Sequence, residues 1–255
     1  METIAFVNHK GGVAKTSSCH NVGAGLAQRG KRVLLIDLDS QGSLSSIVGA
    51  NRLGATSLEV LLRKATAAQA IQSVGVFDII AGSEGLAGEG ILTTTGKEYR
   101  LREALKPIQR DYDYALLDCP PSLAITTINA LTAADSCIVP CQADTLSLQA
   151  VQQLSPTIDT IRTYTNPDLR VRGILITRHN GRAILSREAV EMLEAQAQAI
   201  GSKVYSSKIR ENIAVKEAQA MRMNIFSYAP KSNAAHDYSN LIDEILEEDK
   251  NNGKE

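Results

Sequence analysis

The segment Lys10-Gly11-Gly12-Val13-Ala14-Lys15-Thr16-Ser17 constrains the fold of this chain more than any other. The apolar run Ile4-Ala5-Phe6-Val7 before it reads as a buried parallel strand. A helix pattern follows from Thr16 to about Arg29 and stops at Gly30. Strand, glycine turn and helix N-terminus in that order make an anion cradle, because successive backbone N–H groups and the helix dipole converge on one point. Gly11 and Gly12 let the backbone approach phosphate oxygens without a Cβ in the way. Lys15 is expected to reach the β- and γ-phosphates, the Thr16 hydroxyl to ligate Mg²⁺, and Ser17 to hydrogen-bond a phosphate oxygen. The generic pattern G-x-x-x-x-G-K-[ST] fails, since His9 and Ala14 replace both glycines, whereas K-G-G-x-x-K-[ST] fits in full. The additional cation, Lys10, stands at the front of the loop. A lysine there need not serve the loop that carries it and can reach a nucleotide held by a second copy of the chain.

The rest of the chain repeats the theme. Buried strands are predicted at Ile4–Val7, Val33–Ile36, Phe77–Ile80, Tyr114–Leu117, Cys137–Val139 and Val171–Ile176. Helices are predicted at Thr16–Arg29, Lys97–Gln109, Leu123–Ala133, Thr145–Thr163 and Ile184–Ala199. That alternation predicts an α/β fold: a single domain with a mostly parallel twisted sheet and helices on both faces. Residues 1–248 are assigned to this domain. The acidic residues 249–255 are expected to be disordered, and the Gly/Thr/Ser-rich stretch Gly82–Gly96 to be a mobile loop. Hydrophobic residues make up 44% of the 255, enough for a large core, and the absence of a long apolar run argues against a membrane span. Cys19, Cys119, Cys137 and Cys141 form no C-x-x-C pair and no zinc spacing, so a cytoplasmic protein with reduced thiols is expected. Asp39 and Asp118 each end an apolar run, at the carboxyl edge where parallel sheets bind ligands. Asp37 shares a strand face with Asp39 and competes with it for any chemical role.

The chain resembles the ParA/MinD group of deviant Walker P-loop ATPases, and within it the small Soj-like partition proteins. The likeness runs from Met1 to about Leu246. It rests on the loop above, on Val33-Leu34-Leu35-Ile36-Asp37-Leu38-Asp39-Ser40-Gln41-Gly42, on Tyr112-Asp113-Tyr114-Ala115-Leu116-Leu117-Asp118-Cys119-Pro120-Pro121, and on Ile138-Val139-Pro140-Cys141-Gln142-Ala143-Asp144. The resemblance implies an ATPase that uses ATP and Mg²⁺ and is slow until a partner stimulates it. Lys10, Lys15 and Asp39 would be its catalytic residues, with Asp39 positioning the attacking water. Thr16, Asp39 and Asp118 would be the residues on the metal side, and Arg178 is a candidate for the base pocket. Two departures stand out. The family usually has glycine where Ala14 stands and proline where Ser40 stands. Alanine predicts a negative φ at position 14, and Ser40 predicts a looser segment after Asp39.

Net charge is −1, but its distribution is uneven. Between Arg162 and Lys231 twelve Lys/Arg face six Asp/Glu, and from Ser232 onward seven acids face two lysines. A basic late segment suits a nucleic-acid backbone. The resemblance makes that segment a surface for non-specific double-stranded DNA, bound by the ATP-loaded homodimer. Arg182, Lys208, Arg210, Lys216 and Arg222 are the candidate contacts. It further implies a ParB-like adaptor that stimulates hydrolysis, and a nucleoid-associated location. A MinD-like membrane-positioning ATPase is the alternative, but the final helix Leu241–Asp249 has an acidic polar face that anionic lipid would repel. A metabolite-dependent ligase or amidotransferase using the same loop is a third class.

Overall fold

In a computed structural model of the chain, residues 1–88, 95–179, 184–251 and 253 are described. The order along the chain begins with β1 (Glu2–Phe6), α1 (Lys15–Gln28), β2 (Val33–Asp37), α2 (Ser43–Val48), α3 (Ser57–Leu61) and α4 (Ala67–Ala70). It continues with β3 (Ile71–Val74), β4 (Phe77–Ile80), α5 (Arg100–Leu105), β5 (Tyr114–Asp118), α6 (Ile125–Ala133) and β6 (Ser136–Cys141). The last third holds α7 (Thr145–Tyr164), β7 (Arg170–Ile176), α8 (Ile184–Ala199), α9 (Ile213–Ala220), α10 (Ile225–Tyr228) and α11 (Asn233–Asn251).

Seven strands form one sheet in the order β3-β4-β2-β5-β1-β6-β7. All neighbours run parallel except β3, which pairs antiparallel with β4 at one edge. Strand alternation divides the core into two layers. Ile4 and Phe6 of β1, and Val33 and Leu35 of β2, face a cluster shared with α1 and α11. Ala5, Leu34 and Ile36 face the opposite cluster, which includes Leu131 of α6, Leu154 of α7 and Leu193 of α8. This is the P-loop NTPase architecture expected: one α/β domain, with the sheet covered on both faces. The carboxyl ends of β1, β2 and β5 meet at one edge, and Asp37 and Asp118 are paired in register there.

Three expectations need correction. Lys97–Gln109 is not one helix: a 3₁₀ turn (Lys97–Tyr99), α5, and another 3₁₀ turn (Lys106–Ile108) replace it. Pro107 lacks the N–H that would continue the i→i−4 ladder, so the α-helix closes at Leu105 although Lys106 keeps helical angles. The expected disordered tail is structured through Asn251. Asp249 is buried and accepts hydrogen bonds from Tyr114 Oη at 2.6 Å and Arg172 Nη2 at 2.7 Å. A buried guanidinium needs carboxylates beside it, and α11 supplies them. Finally, β3 is an edge strand that the apolar pattern does not reveal, because its residues are only partly buried. Residues 89–94 of the expected Gly82–Gly96 loop lie outside the described residues.

Candidate active site

The phosphate loop leaves β1 and enters α1 through two left-handed residues. Gly12 has φ +74°, and Ala14 has φ 63° and ψ 30°. The negative φ expected for Ala14 is therefore wrong. Its carbonyl accepts the Ser18 N–H at 2.9 Å, closing the first turn of α1, and that turn sets the backbone despite a cost of roughly 1–2 kcal/mol for a residue with a Cβ. Neighbouring strand ends brace the loop. Thr177 Oγ1 donates to the Val13 carbonyl at 3.1 Å, and the Gln142 amide donates to the Gly12 carbonyl at 3.4 Å. Val13 is buried, so only its backbone can serve an anion. Lys15 lies nearly buried with its ammonium donating to the Lys10 carbonyl at 3.2 Å. Burial lowers its pKa, and Asp118 and Asp39 pull it back up.

Asp37 and Asp118 share one strand edge but differ in partners. Asp37 accepts from the Ser45 amide (2.8 Å), the Ser45 hydroxyl (2.6 Å) and the Asp39 amide (3.1 Å). It organises the start of α2. Asp118 is equally buried, and among the described residues neither of its oxygens has a hydrogen-bond partner of normal geometry. Burial pushes its carboxyl well above the usual range and Asp37 adds to that, while Thr16 and Lys15 pull the other way. An orphaned buried carboxylate beside a threonine hydroxyl is an all-oxygen donor set, which fits Mg²⁺. Asp39 lies two residues beyond the end of β2 and is partly exposed. Its Oδ1 accepts the Gln41 N–H at 3.0 Å, and it lines a cleft of about 540 Å³ together with Gly11, Gly12, Ala14, Lys15, Thr16 and Ser17. Arg178, at φ 49°, lines the same cleft and the smaller pocket beside it.

Lys10 does not join this cleft. Its ammonium lies 2.9 and 3.0 Å from the two oxygens of Asp144 and 3.4 Å from Ser147 Oγ. Asp144 caps α7 through the Ser147 N–H at 2.7 Å. Burial opposes its charge, but the bonds from Lys10 and Ser147 outweigh this and hold its carboxyl below the usual range. Two further contacts escape the sequence reading, although Asp144 itself ends one of the motifs that carry the resemblance. Gln219 of α9 donates to Ser17 Oγ at 2.7 Å across 202 residues of sequence, and Asp144 has no local pattern that announces a lysine partner.

The basic candidates separate. Arg182 lies outside the described residues. Arg210 is tied to Asp237 by a two-point ion pair, with Nη2 at 2.6 Å and Nε at 2.9 Å. Lys208 sits in a groove lined by Asp237, Asp243, Glu244 and Glu247. Lys216 and Arg222 are exposed, and among the described residues no carboxylate pairs with either. The late basic segment therefore satisfies part of the acidic tail within the fold. Arg172 bonds Glu248 and Asp249, and Lys203 pairs with Glu248. All four cysteines are free and buried. No helix among the described residues is long and apolar enough to cross a membrane.

Comparison with known proteins places this geometry among related chains. Residues 1–171 match a family model described as an AAA domain. The sporulation initiation inhibitor protein Soj of Bacillus subtilis is 36% identical over 248 residues, covering 95% of this chain and 97% of its own. The chromosome-partitioning ATPase Soj of Thermus thermophilus is 38% identical over 244 residues, with 95% and 94% covered. Among solved structures, one described as cobyrinic acid a,c-diamide synthase from Mycobacterium smegmatis, with bound ADP and magnesium, superposes with a TM-score of 0.84 at 34% identity, covering 96% of this chain and 94% of that one. MinD of Pyrococcus horikoshii, complexed with Mg-ADP, shares the fold at a TM-score of 0.78 and 22% identity, with 96% and 95% covered.

Proposed function

The chain belongs to the ParA/Soj family of partition ATPases, within the ParA/MinD-type P-loop group, and on that premise we propose that it is a nucleotide-switched DNA-partition ATPase. In this reading two ATP-loaded chains pair face to face, bind duplex DNA without sequence preference, and leave it when a ParB-like adaptor stimulates hydrolysis. The observation that carries it is the buried Asp118 behind the Lys15–Thr16 cleft, whose oxygens find no hydrogen-bond partner of normal geometry among the described residues. Thr16 and Asp118 would hold Mg²⁺, which supplies charge neutralisation at the phosphates. The backbone N–H groups of the loop and Lys15 bind and orient the triphosphate of the substrate. Asp39 orients the water in line with the γ-phosphorus and accepts its proton. Lys10 leaves Asp144 and contacts the phosphates bound by the partner. Giving up a half-exposed ion pair costs only about 0–1 kcal/mol, so phosphate charge outcompetes it.

Lys216 and Arg222 on or beside α9 support the DNA face, because they are exposed cations without carboxylate partners among the described residues. A membrane role is disfavoured by α11. Its apolar residues Leu241, Ile242 and Ile245 are buried in the core, and Asp243, Glu244 and Glu247 make up its outer face. Retention of the chain on random duplex DNA tests the reading. Retention is expected with Mg²⁺ and a slowly hydrolysed ATP analogue, to be weak with ADP, and to fall steeply with salt. Retention on anionic liposomes instead would favour the MinD-like role. ATP turnover that requires a metabolite and ignores DNA would favour the metabolic reaction named for the Mycobacterium smegmatis structure.

A further inference from the structure

The turn that carries Asp39 is fastened by a residue outside both the phosphate loop and the carboxylate pattern. Residues 39–42 leave β2 and run into α2. The bonds inside the turn are local: Gly42 N–H to the Asp39 carbonyl at 2.9 Å, and Gln41 N–H to Asp39 Oδ1 at 3.0 Å. They close the turn, and the Asp39 N–H, donating to Asp37 Oδ1 at 3.1 Å, holds its first residue, which leaves the Ser40 side of the turn to be placed. Ser40 adds no ring constraint of its own. Arg52, in the connection between α2 and α3, lies across the turn. Its Nη2 donates to the Ser40 carbonyl at 3.3 Å, and its Nε donates to the Gly82 carbonyl at 3.1 Å. Gly82 follows β4 and is itself anchored, since its N–H donates to Ser45 Oγ at 2.8 Å and Ser45 Oγ donates to Asp37 at 2.6 Å.

The two glycines at this junction are closely packed. A Cβ at Gly42 would run into the Arg52 guanidinium, and one at Gly82 would lie 2.9 Å from both Asp37 Cγ and the Asp39 carbonyl oxygen. Among the described residues no carboxylate pairs with Arg52, so its donors serve backbone carbonyls of two separate segments. A planar guanidinium spans two such acceptors at once, which a single ammonium on a flexible stem does poorly.

We propose that Arg52 is a positioning residue for hydrolysis: a strap that holds the Asp39 turn against the anchored Gly82 segment, so that the carboxylate meets the attacking water at a fixed place. The proposal rests on the reading of Asp39 as the water-orienting carboxylate. Arg52 does not line the cleft, so its loss should alter turnover and leave nucleotide affinity nearly untouched. Small misplacements of a reacting group are expensive in rate, which sets the expected scale at about tenfold or more.

The test compares wild type, Arg52→Ala and Arg52→Lys, each with Mg²⁺. For each we would measure kcat, the Kd for a slowly hydrolysed ATP analogue, and amide hydrogen exchange at Gln41 and Gly42. Arg52→Ala is expected to lower kcat by about tenfold. Its Kd should stay within about twofold, and exchange in the turn should rise severalfold. Arg52→Lys should fall between the two in both rate and exchange, and it carries the test if the alanine variant fails to fold. Wild-type kcat and exchange in Arg52→Ala would overturn the strap, as would a loss of affinity equal to the loss of kcat. Should the wild type hydrolyse no ATP, the ATPase reading fails on its own. The exchange comparison then still decides whether Arg52 fastens the turn.

Discussion

His20 lies in the middle of α1, 3% exposed, with its ring edge-on to Phe77 at 5.7 Å. Burial lowers its pKa from 6.5 to about 4, so the folded protein holds it neutral. Between these values the unfolded chain takes up a proton that the folded chain refuses. The stabilisation is thus complete above pH 6.5 and declines as pH falls toward 4, by at most about 3 kcal/mol. Urea unfolding of wild type and His20→Leu at pH 7 and pH 4.5 checks this: the gap between the proteins should shift in favour of the variant at the lower pH. Single residues also show where sequence reasoning reaches and where it stops. The gathering of Lys15, Thr16, Asp39 and Asp118 at one sheet edge is legible because it follows from a short loop and from strand ends. The left-handed φ of Ala14 is not, since an alanine argues against it and only the Ser18–Ala14 bond and the braced loop impose it. Arg52 and Gln219 give no local signal, because each acts on a backbone or hydroxyl far away in sequence.

At the scale of elements, α11 shows how a charge pattern can mislead. Its last turn reads as a solvated acidic tail, yet Glu248 and Asp249 reach the buried Arg172 of β7, and Tyr114 of β5 donates to Asp249. Arg172 and Asp249 side chains are each only 6% exposed, so removing one leaves the other short of a partner in a dry site. Asp249→Ala is expected to cost about 2–4 kcal/mol in urea unfolding. Lys250→Ala, one residue on and exposed, should stay within about 0.5 kcal/mol. Equal effects of the two substitutions would contradict the clamp. The central strands, by contrast, are plain in the sequence. Buried parallel strands are continuous apolar runs, whereas β3, half-exposed at the sheet edge, leaves no such run.

The molecule as a whole is a sheet whose one carboxyl edge gathers the loop, the two buried aspartates and Asp39, with α9 and its Lys216 beside them. Gln219 links the two regions, since α9 carries both its bond to Ser17 and the exposed Lys216. The long-range charge asymmetry of the sequence is partly cancelled by ion pairs inside the fold, which sequence counting cannot foresee. What the single chain leaves incomplete is the role of Lys10, held on Asp144 and turned away from its own cleft. The most direct test is the solution mass of wild type and Lys10→Ala, each with Mg²⁺ and a slowly hydrolysed ATP analogue. Wild type should double from 27.4 kDa to about 55 kDa. Lys10→Ala should bind the analogue and remain a monomer. A Lys10→Ala protein that dimerises at the wild-type nucleotide concentration would contradict the account.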